Sequence, residues 1–131
     1  MKRSLIRGRS RDGAALKELD RLCRQVTFAR DGHCCMHCGS AHRTQWCHVY
    51  TRSIRSMRWT LANTMTLCAG CHLWWHHRPN DAVAWWTGRV GTEGARRLSP
   101  RAARPTKRRD RAAMTLYLRS ELKRLDAGRV R

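Results

Sequence analysis

The sequence predicts a small α+β domain in which a strand–loop–strand–helix segment is stapled by a four-cysteine zinc site and flanked by helices and basic arms. Two observations carry this prediction. The 131-residue chain contains two Cys-x-x-Cys pairs, which together supply the four thiolates of a tetrahedral zinc ion. Apolar residues alternate between the pairs, as in strands, and recur at helical spacing on both sides of them. A hydrophobic content of 41% is sufficient for a single core.

The charge of the chain is strongly positive. Lys and Arg number 28 against 9 Asp and Glu, a formal net charge of +19, which predicts a polyanionic partner. No carboxylate side chain lies between Asp31 and Asp81, a stretch that also contains six of the seven cysteines. We find no apolar run long enough to cross a bilayer and no apolar signal-peptide segment after Met1. We therefore expect a cytoplasmic protein without a membrane partner.

Composition divides the chain into four segments. We expect a flexible basic arm over residues 1–12, a central domain with an N-terminal helix over 13–98, a basic linker over 99–109 and a basic amphipathic helix over 110–131. Two prolines favour an extended linker over a helix. The high Arg and Ser content of the first arm favours mobility in the absence of a partner.

Three helices are predicted outside the cysteine pairs, over about 13–30, 80–91 and 110–125. The apolar stripe of the first helix includes Cys23, which we expect to be a buried hydrophobe. The leucine stripe of the last helix either packs on the core or pairs with a second copy of itself. The sequence is therefore compatible with both a monomer and a homodimer.

The paired cysteines are predicted to bind one structural zinc ion: Cys35, Cys38, Cys68 and Cys71. Two disulfides are the alternative, and the lack of an export signal disfavours them. A redox Cys-x-x-Cys motif would not need a second copy. Cys34 competes with Cys35 for the first position, but its three-residue gap to Cys38 favours Cys35.

The segment between and after the pairs has its own pattern. Residues 45–50 and 63–68 are half-apolar and predict two strands, and residues 71–77 predict a helix that ends before Pro79. His72 and His76 are four residues apart, so they share one face of that helix. Two imidazoles in this arrangement can bind one metal ion.

Six residues in this order and spacing resemble the HNH endonuclease family, also called His-Me finger or ββα-metal, in the zinc-bearing form common in small phage and prophage proteins: His48, Asn63, Cys68, Cys71, His72 and His76. A weaker similarity to recombination proteins of the lambda NinG type extends over residues 48–63 and 85–98. The resemblance implies a ββα-metal HNH core over about residues 28–80. It also implies a protein of the cytoplasm of a bacterial or phage-infected cell.

The resemblance also implies an activity, the metal-dependent hydrolysis of DNA phosphodiester bonds by nicking or by double-strand cleavage. By that resemblance His48 is the general base that activates water, Asn63 is a positioning residue, and His72 binds a single divalent ion on the scissile phosphate. The DNA is duplex, or branched if the lambda-type similarity applies. The bases that such a protein contacts are not indicated by any motif.

One position departs from the family pattern. Many members have Asp or His immediately before the base, as an ion ligand, whereas this chain has Cys47. Cys47 is one candidate for the further ligand, and His76 or His77 is the other. Because this donor set is softer than Mg²⁺ prefers, we expect Mn²⁺, Ni²⁺ or Co²⁺ to support activity better than Mg²⁺.

Arginines follow the predicted base at every third position: Arg52, Arg55 and Arg58. They either form a solvated loop or bind flanking phosphates of the DNA. The six tryptophans are expected to build the core of so small a domain rather than to stack on bases. Two other functions stay open. Cys47 favours a zinc-stabilised nucleic-acid-binding protein without catalysis, and the lambda-type similarity favours a recombination accessory factor for branched DNA.

Overall fold

A computed structural model describes residues 2–98 and 110–129 of the chain. The elements in chain order are α1 (Lys2–Arg30), β1 (Thr44–His48), a short 3-10 helix (Leu61–Asn63), β2 (Thr64–Cys68), α2 (Ala69–His77), α3 (Pro79–Arg97) and α4 (Arg111–Arg129). The predicted linker over 99–109 lies outside the described residues. Of the helices in the described ranges, none is both long enough and apolar enough to cross a membrane.

Both strands and all predicted helices are present, but several helix ends differ from the prediction. Helix α1 begins at Lys2 instead of about residue 13, since no proline interrupts residues 2–12 and arginine and leucine are good helix formers. Helix α3 begins at Pro79, a favoured first helical residue. Gly91, with a φ of 80° and a ψ of 160°, interrupts the helix where the sequence predicts its end, and a second helical segment follows to Arg97. Helix α4 continues to Arg129.

The two strands form an antiparallel sheet with helices on both faces. On one face, the hydroxyl of Thr27 in α1 lies 2.8 Å from the hydroxyl of Thr64 in β2. On the other face, Met65 and Leu67 pack with Trp75 of α2. The sheet therefore fixes the position of α2 relative to α1.

The central core lies between the sheet, α2 and α3. Its buried residues are Cys35, Cys47, Met57, Met65, Leu67, Trp75, Ala82, Trp86 and Leu98. Trp75 and Trp86 are thus core residues, as expected from the sequence. Trp59 is also buried, but in a second cluster with α1.

The second cluster joins α1 to α4. It contains Leu19, Leu22 and the fully buried thiol of Cys23, which confirms the prediction for that residue, and it receives Leu118 from α4. The two helices run parallel, since Arg111 lies near Asp12 and Arg129 donates a hydrogen bond to the carbonyl oxygen of Ala29. The leucine stripe of α4 therefore packs on α1 of the same chain.

The α1–α4 contact predicts a large difference between two leucines of one helix. Leu118 is fully buried and Leu116 is 66% exposed. Leu118→Ala is expected to lower the free energy of unfolding by about 2–5 kcal/mol, because it leaves a cavity between the helices. Leu116→Ala, with the same chemical change, is expected to lower it by less than about 0.5 kcal/mol. Urea denaturation followed by circular dichroism measures both values, and equal losses would contradict this packing.

Candidate functional site

Four cysteine side chains meet at one point. Cys35 and Cys38 precede β1, Cys68 ends β2, and Cys71 lies in the first turn of α2. Their sulfur atoms all lie within 4.8 Å of one another, and those of Cys38 and Cys68 are 3.6 Å apart. Sulfur atoms bound to one tetrahedral zinc ion at about 2.3 Å are separated by about 3.8 Å. The four thiols therefore fit a structural metal such as zinc.

Both Cys-x-x-Cys pairs form tight turns held by N–H···S hydrogen bonds. The backbone N–H of Cys38 donates to Sγ of Cys35 at 3.5 Å, and that of Cys71 donates to Sγ of Cys68 at 3.4 Å. Gly39 ends the first turn with a φ of 81°, which glycine adopts without strain. At Cys35, burial raises the pKa, but backbone N–H donors outweigh burial and lower the pKa to about 6. These backbone groups thus favour the thiolate of Cys35, the form that binds metal, whereas a backbone N–H donor at Cys38 is outweighed by neighbouring thiols, which raise the pKa of Cys38.

The ring of His37 lies against this cluster. Its Nδ1 is 3.3 Å from Sγ of Cys71, and the ring stacks on Trp74 with centroids 4.2 Å apart. With a proton on Nδ1, His37 donates a hydrogen bond to a thiolate, and the indole fixes the plane of the ring. The four-thiolate set is complete without this histidine as a ligand.

A pocket of about 550 Å³ brings together four of the predicted functional side chains: His48, Arg52, His72 and His76. His48 ends β1, Arg52 lies in the following loop, and the other two lie one turn apart on α2. The clustered cysteines do not line the pocket. The cysteine cluster and the histidine pocket are therefore two separate sites that share the helix α2.

The imidazole of His48 is held by one hydrogen bond. Its Nε2 lies 2.9 Å from the backbone carbonyl oxygen of Arg58, and because a carbonyl only accepts, Nε2 carries the proton. Nδ1 is therefore the basic nitrogen. Burial lowers the pKa of His48, and the raising effect of the Arg58 carbonyl is smaller. The ring is thus neutral, and able to accept a proton, at neutral pH.

Asn63 orders the loop that supplies this carbonyl. Its side chain is fully buried. Oδ1 accepts from the backbone N–H of Tyr50 at 2.8 Å, and Nδ2 donates to the carbonyl oxygens of Tyr50 and Met57, each at 3.1 Å. The amide therefore ties the two ends of loop 49–60 to the start of β2, and both of its N–H groups are used inside the protein.

The imidazoles of His72 and His76 form a pair with the spacing of two ion ligands. Their Nε2 atoms are 3.2 Å apart, and nitrogens bound to one ion at about 2.1 Å are about 3.0–3.4 Å apart for coordination angles between right-angled and tetrahedral. On the opposite side of the ring, Nδ1 of His72 lies 2.8 Å from Oε1 of Gln45. A proton on that Nδ1 leaves the Nε2 lone pair for an ion.

The structure does not bring Cys47 to the pocket. Cys47 and His48 are neighbours in β1, and neighbouring strand residues point to opposite faces. Cys47 pairs with Met65 in the sheet and is fully buried in the central core, where burial raises its pKa to about 12. A protonated thiol on the opposite face is not an ion ligand, which corrects the prediction made for this position.

The three loop arginines have different surroundings. Arg52 is exposed, lines the pocket and lies 3.3 Å from the carboxylate of Asp20. Arg58 is 18% exposed, and its Nε donates to the same carboxylate at 2.9 Å. Its guanidinium thus anchors the loop to α1, a contact that neither the solvated-loop nor the phosphate-binding interpretation predicts. Arg55 is exposed and does not line the pocket.

Two residues of this region escaped prediction from the sequence. Asp20 on α1 accepts hydrogen bonds from Arg58 and from Nε1 of Trp59, and Gln45 supports the ring of His72. Asp20 is 39 residues from Trp59, and Gln45 is 27 residues from His72. No local spacing marks such pairs, because only the assembled fold makes them neighbours.

No family model, curated protein or solved structure matches this chain. The described residues form a small α+β fold of four helices and a two-stranded antiparallel sheet, with a four-cysteine cluster that can hold a metal. An activity is therefore inferred from the side chains of the two sites alone.

We expect the substitution of one clustered cysteine to abolish metal binding. Cys38→Ser is expected to abolish the retention of one zinc ion per chain after dialysis against a mild chelator, because one of four thiolates is lost. Cys34→Ser is the matched control, since Cys34 is the neighbouring thiol outside the cluster, and it is expected to retain the zinc. Elemental analysis of the dialysed proteins measures both. A Cys38→Ser protein that keeps its full zinc content would contradict this assignment.

The burial of His48 predicts a lowered pKa for its imidazole. Because burial lowers the pKa, the midpoint is expected below 6.5, the ordinary value. The neutral ring is thus present above that midpoint, and protonation on acidification opposes folding, so stability falls as the pH drops below 6.5. NMR titration of isotope-labelled imidazoles, assigned with His48→Gln, measures the midpoint. A value above 6.5 would show that burial does not dominate.

Proposed function

We propose that the protein is a metal-dependent endonuclease of the HNH type that hydrolyses phosphodiester bonds of DNA. The observation that carries the proposal is the hydrogen bond from Nε2 of His48 to the Arg58 carbonyl, in a pocket that also contains the His72–His76 pair. It makes Nδ1 of His48 a general base next to a pair of ion ligands. A base, an ion and a phosphate-binding cation are the groups that phosphodiester hydrolysis requires.

The chain's own residues would act as follows. Nδ1 of His48 accepts a proton from a water molecule while the water oxygen bonds to phosphorus and the bond from phosphorus to the 3′ oxygen breaks. The departing 3′ oxygen takes a proton from solvent, which leaves a 5′ phosphate and a 3′ hydroxyl. A divalent ion held by His72 and His76 would stabilise the charge on the phosphate and on the departing oxygen. Arg52, at the pocket wall, pairs with a neighbouring phosphate oxygen.

The ligands of the pocket favour borderline metals. No Asp or Glu is among the described residues that line the pocket, and its two paired donors are imidazoles. Imidazole nitrogen suits Mn²⁺, Co²⁺ and Ni²⁺ better than Mg²⁺, which prefers oxygen ligands. We expect the first three ions to support faster cleavage than Mg²⁺.

Plasmid digestion tests this function. Wild-type protein with a panel of divalent ions is expected to convert supercoiled DNA to nicked or linear forms. His48→Ala is expected to slow cleavage at least about 100-fold, because a general base is lost, while zinc content and DNA binding stay unchanged. His42→Ala is the matched control, since His42 is exposed and lies outside the pocket, and it is expected to cleave as fast as the wild type.

Two outcomes would contradict the proposal. If the wild type binds DNA but does not cleave it with any ion of the panel, the protein is a zinc-stabilised binding protein without catalysis. If His48→Ala cleaves as fast as the wild type, the base is elsewhere. Faster cleavage of junctions or flaps than of linear duplex would keep the activity and assign it to branched DNA.

A further inference from the structure

A second groove adjoins the histidine pocket. It has a volume of about 230 Å³ and is lined by Lys17, Asp20, Arg21, Arg24, Trp46 and Arg52. Trp46 and Arg52 also line the histidine pocket. The two depressions therefore share a wall, and a ligand that fills one can continue into the other.

The cations of this groove form a row on one helix. Lys17, Arg21 and Arg24 are exposed, and their spacing of four and three residues puts them on the same face of α1. The row extends about 10 Å along the helix, at about 1.5 Å per residue. One strand of duplex DNA advances about 3.4 Å per nucleotide. The row thus matches the axial rise of about three nucleotide steps.

The carboxylates near the row are already paired. Among the described residues that line the groove, Asp20 is the one acid, and it accepts hydrogen bonds from Arg58 and Trp59. Glu18 pairs with Arg21, which compensates part of the charge of this member of the row, and lies 3.6 Å from Arg119. Lys17 and Arg24 form no ion pair with any residue in the described part of the chain. They keep their full charge for a partner.

We propose that the row of Lys17, Arg21 and Arg24 on α1 binds the phosphate backbone of the DNA strand that enters the histidine pocket. The inference rests on the proposed function for the identity of the strand. Cations at a regular rise match a phosphate backbone, whose charges are also regularly spaced. Arg52 continues the row from the groove into the pocket, where the histidines lie. Because the row contacts phosphates only, it binds without reading sequence.

The test measures binding in a chain that does not cut. Lys17→Gln/Arg24→Gln is made in the His48→Ala protein and compared with Arg97→Gln/Lys123→Gln, two exposed cations that line neither depression. The α1 pair is expected to weaken binding of a short duplex at least about tenfold at low ionic strength. It should also reduce the slope of log K against log salt by about 1.8. The control pair is expected to change the slope by less than half as much.

Further outcomes decide the assignment. Lys17→Arg/Arg24→Lys keeps both charges and is expected to restore the slope, whereas a loss of binding in this variant would overturn a phosphate-contact role. Equal effects of the α1 and control pairs would overturn the proposal, since binding would then depend on net charge alone. Displacement of the duplex by polyglutamate at equal charge would also overturn it. A slope change confined to the α1 pair supports the row even if the wild type cleaves no DNA, so the two proposals fail separately.

Discussion

The buried amide of Asn63 is the constraint on which the candidate site depends. Loop 49–60 has no strand or helix to stabilise it, and Asn63 closes the loop with three hydrogen bonds to backbone groups. Each such bond, if broken with its partner left buried, costs about 1–3 kcal/mol. The same loop presents the Arg58 carbonyl that selects the tautomer of His48. A fully buried side chain thereby helps to position the carbonyl that selects the basic nitrogen of the histidine.

Asp20 of α1 binds the other side of this loop and supplies a carboxylate to a segment that has none of its own. It accepts from Arg58 and Trp59 and lies within ion-pair distance of Arg52. Residues 32–80 contain no Asp or Glu. The carboxylate that pairs with Arg52 and Arg58 is therefore supplied by α1. The first helix is therefore part of the site's architecture and not only a support for the core. Of the two arginines that share this carboxylate, Arg52 is the more exposed.

Much of the fold was predictable because it follows local rules. Alternation gave both strands, and the spacing of the two Cys-x-x-Cys pairs gave the four-cysteine cluster. Helix ends were less predictable, since α1 begins at Lys2, well before its predicted start at about residue 13. In the site, Gln45 and Asp20 act across distant parts of the chain, which no spacing encodes. Cys47 was one of two candidate ligands because of its place beside His48, although strand alternation alone puts neighbouring side chains on opposite faces.

The parallel packing of α1 and α4 has a consequence for how the chain folds. The helices meet through contacts as distant as Arg129 and Ala29, which are 100 residues apart, so a long loop has to close before they pair. Such non-local contacts form slowly compared with a single helix. Until α4 is synthesised, the part of the apolar stripe of α1 that Leu118 covers is a surface that other unfinished chains can bind. The cysteine turns, whose N–H···S bonds span three residues, are able to form long before that pairing is complete.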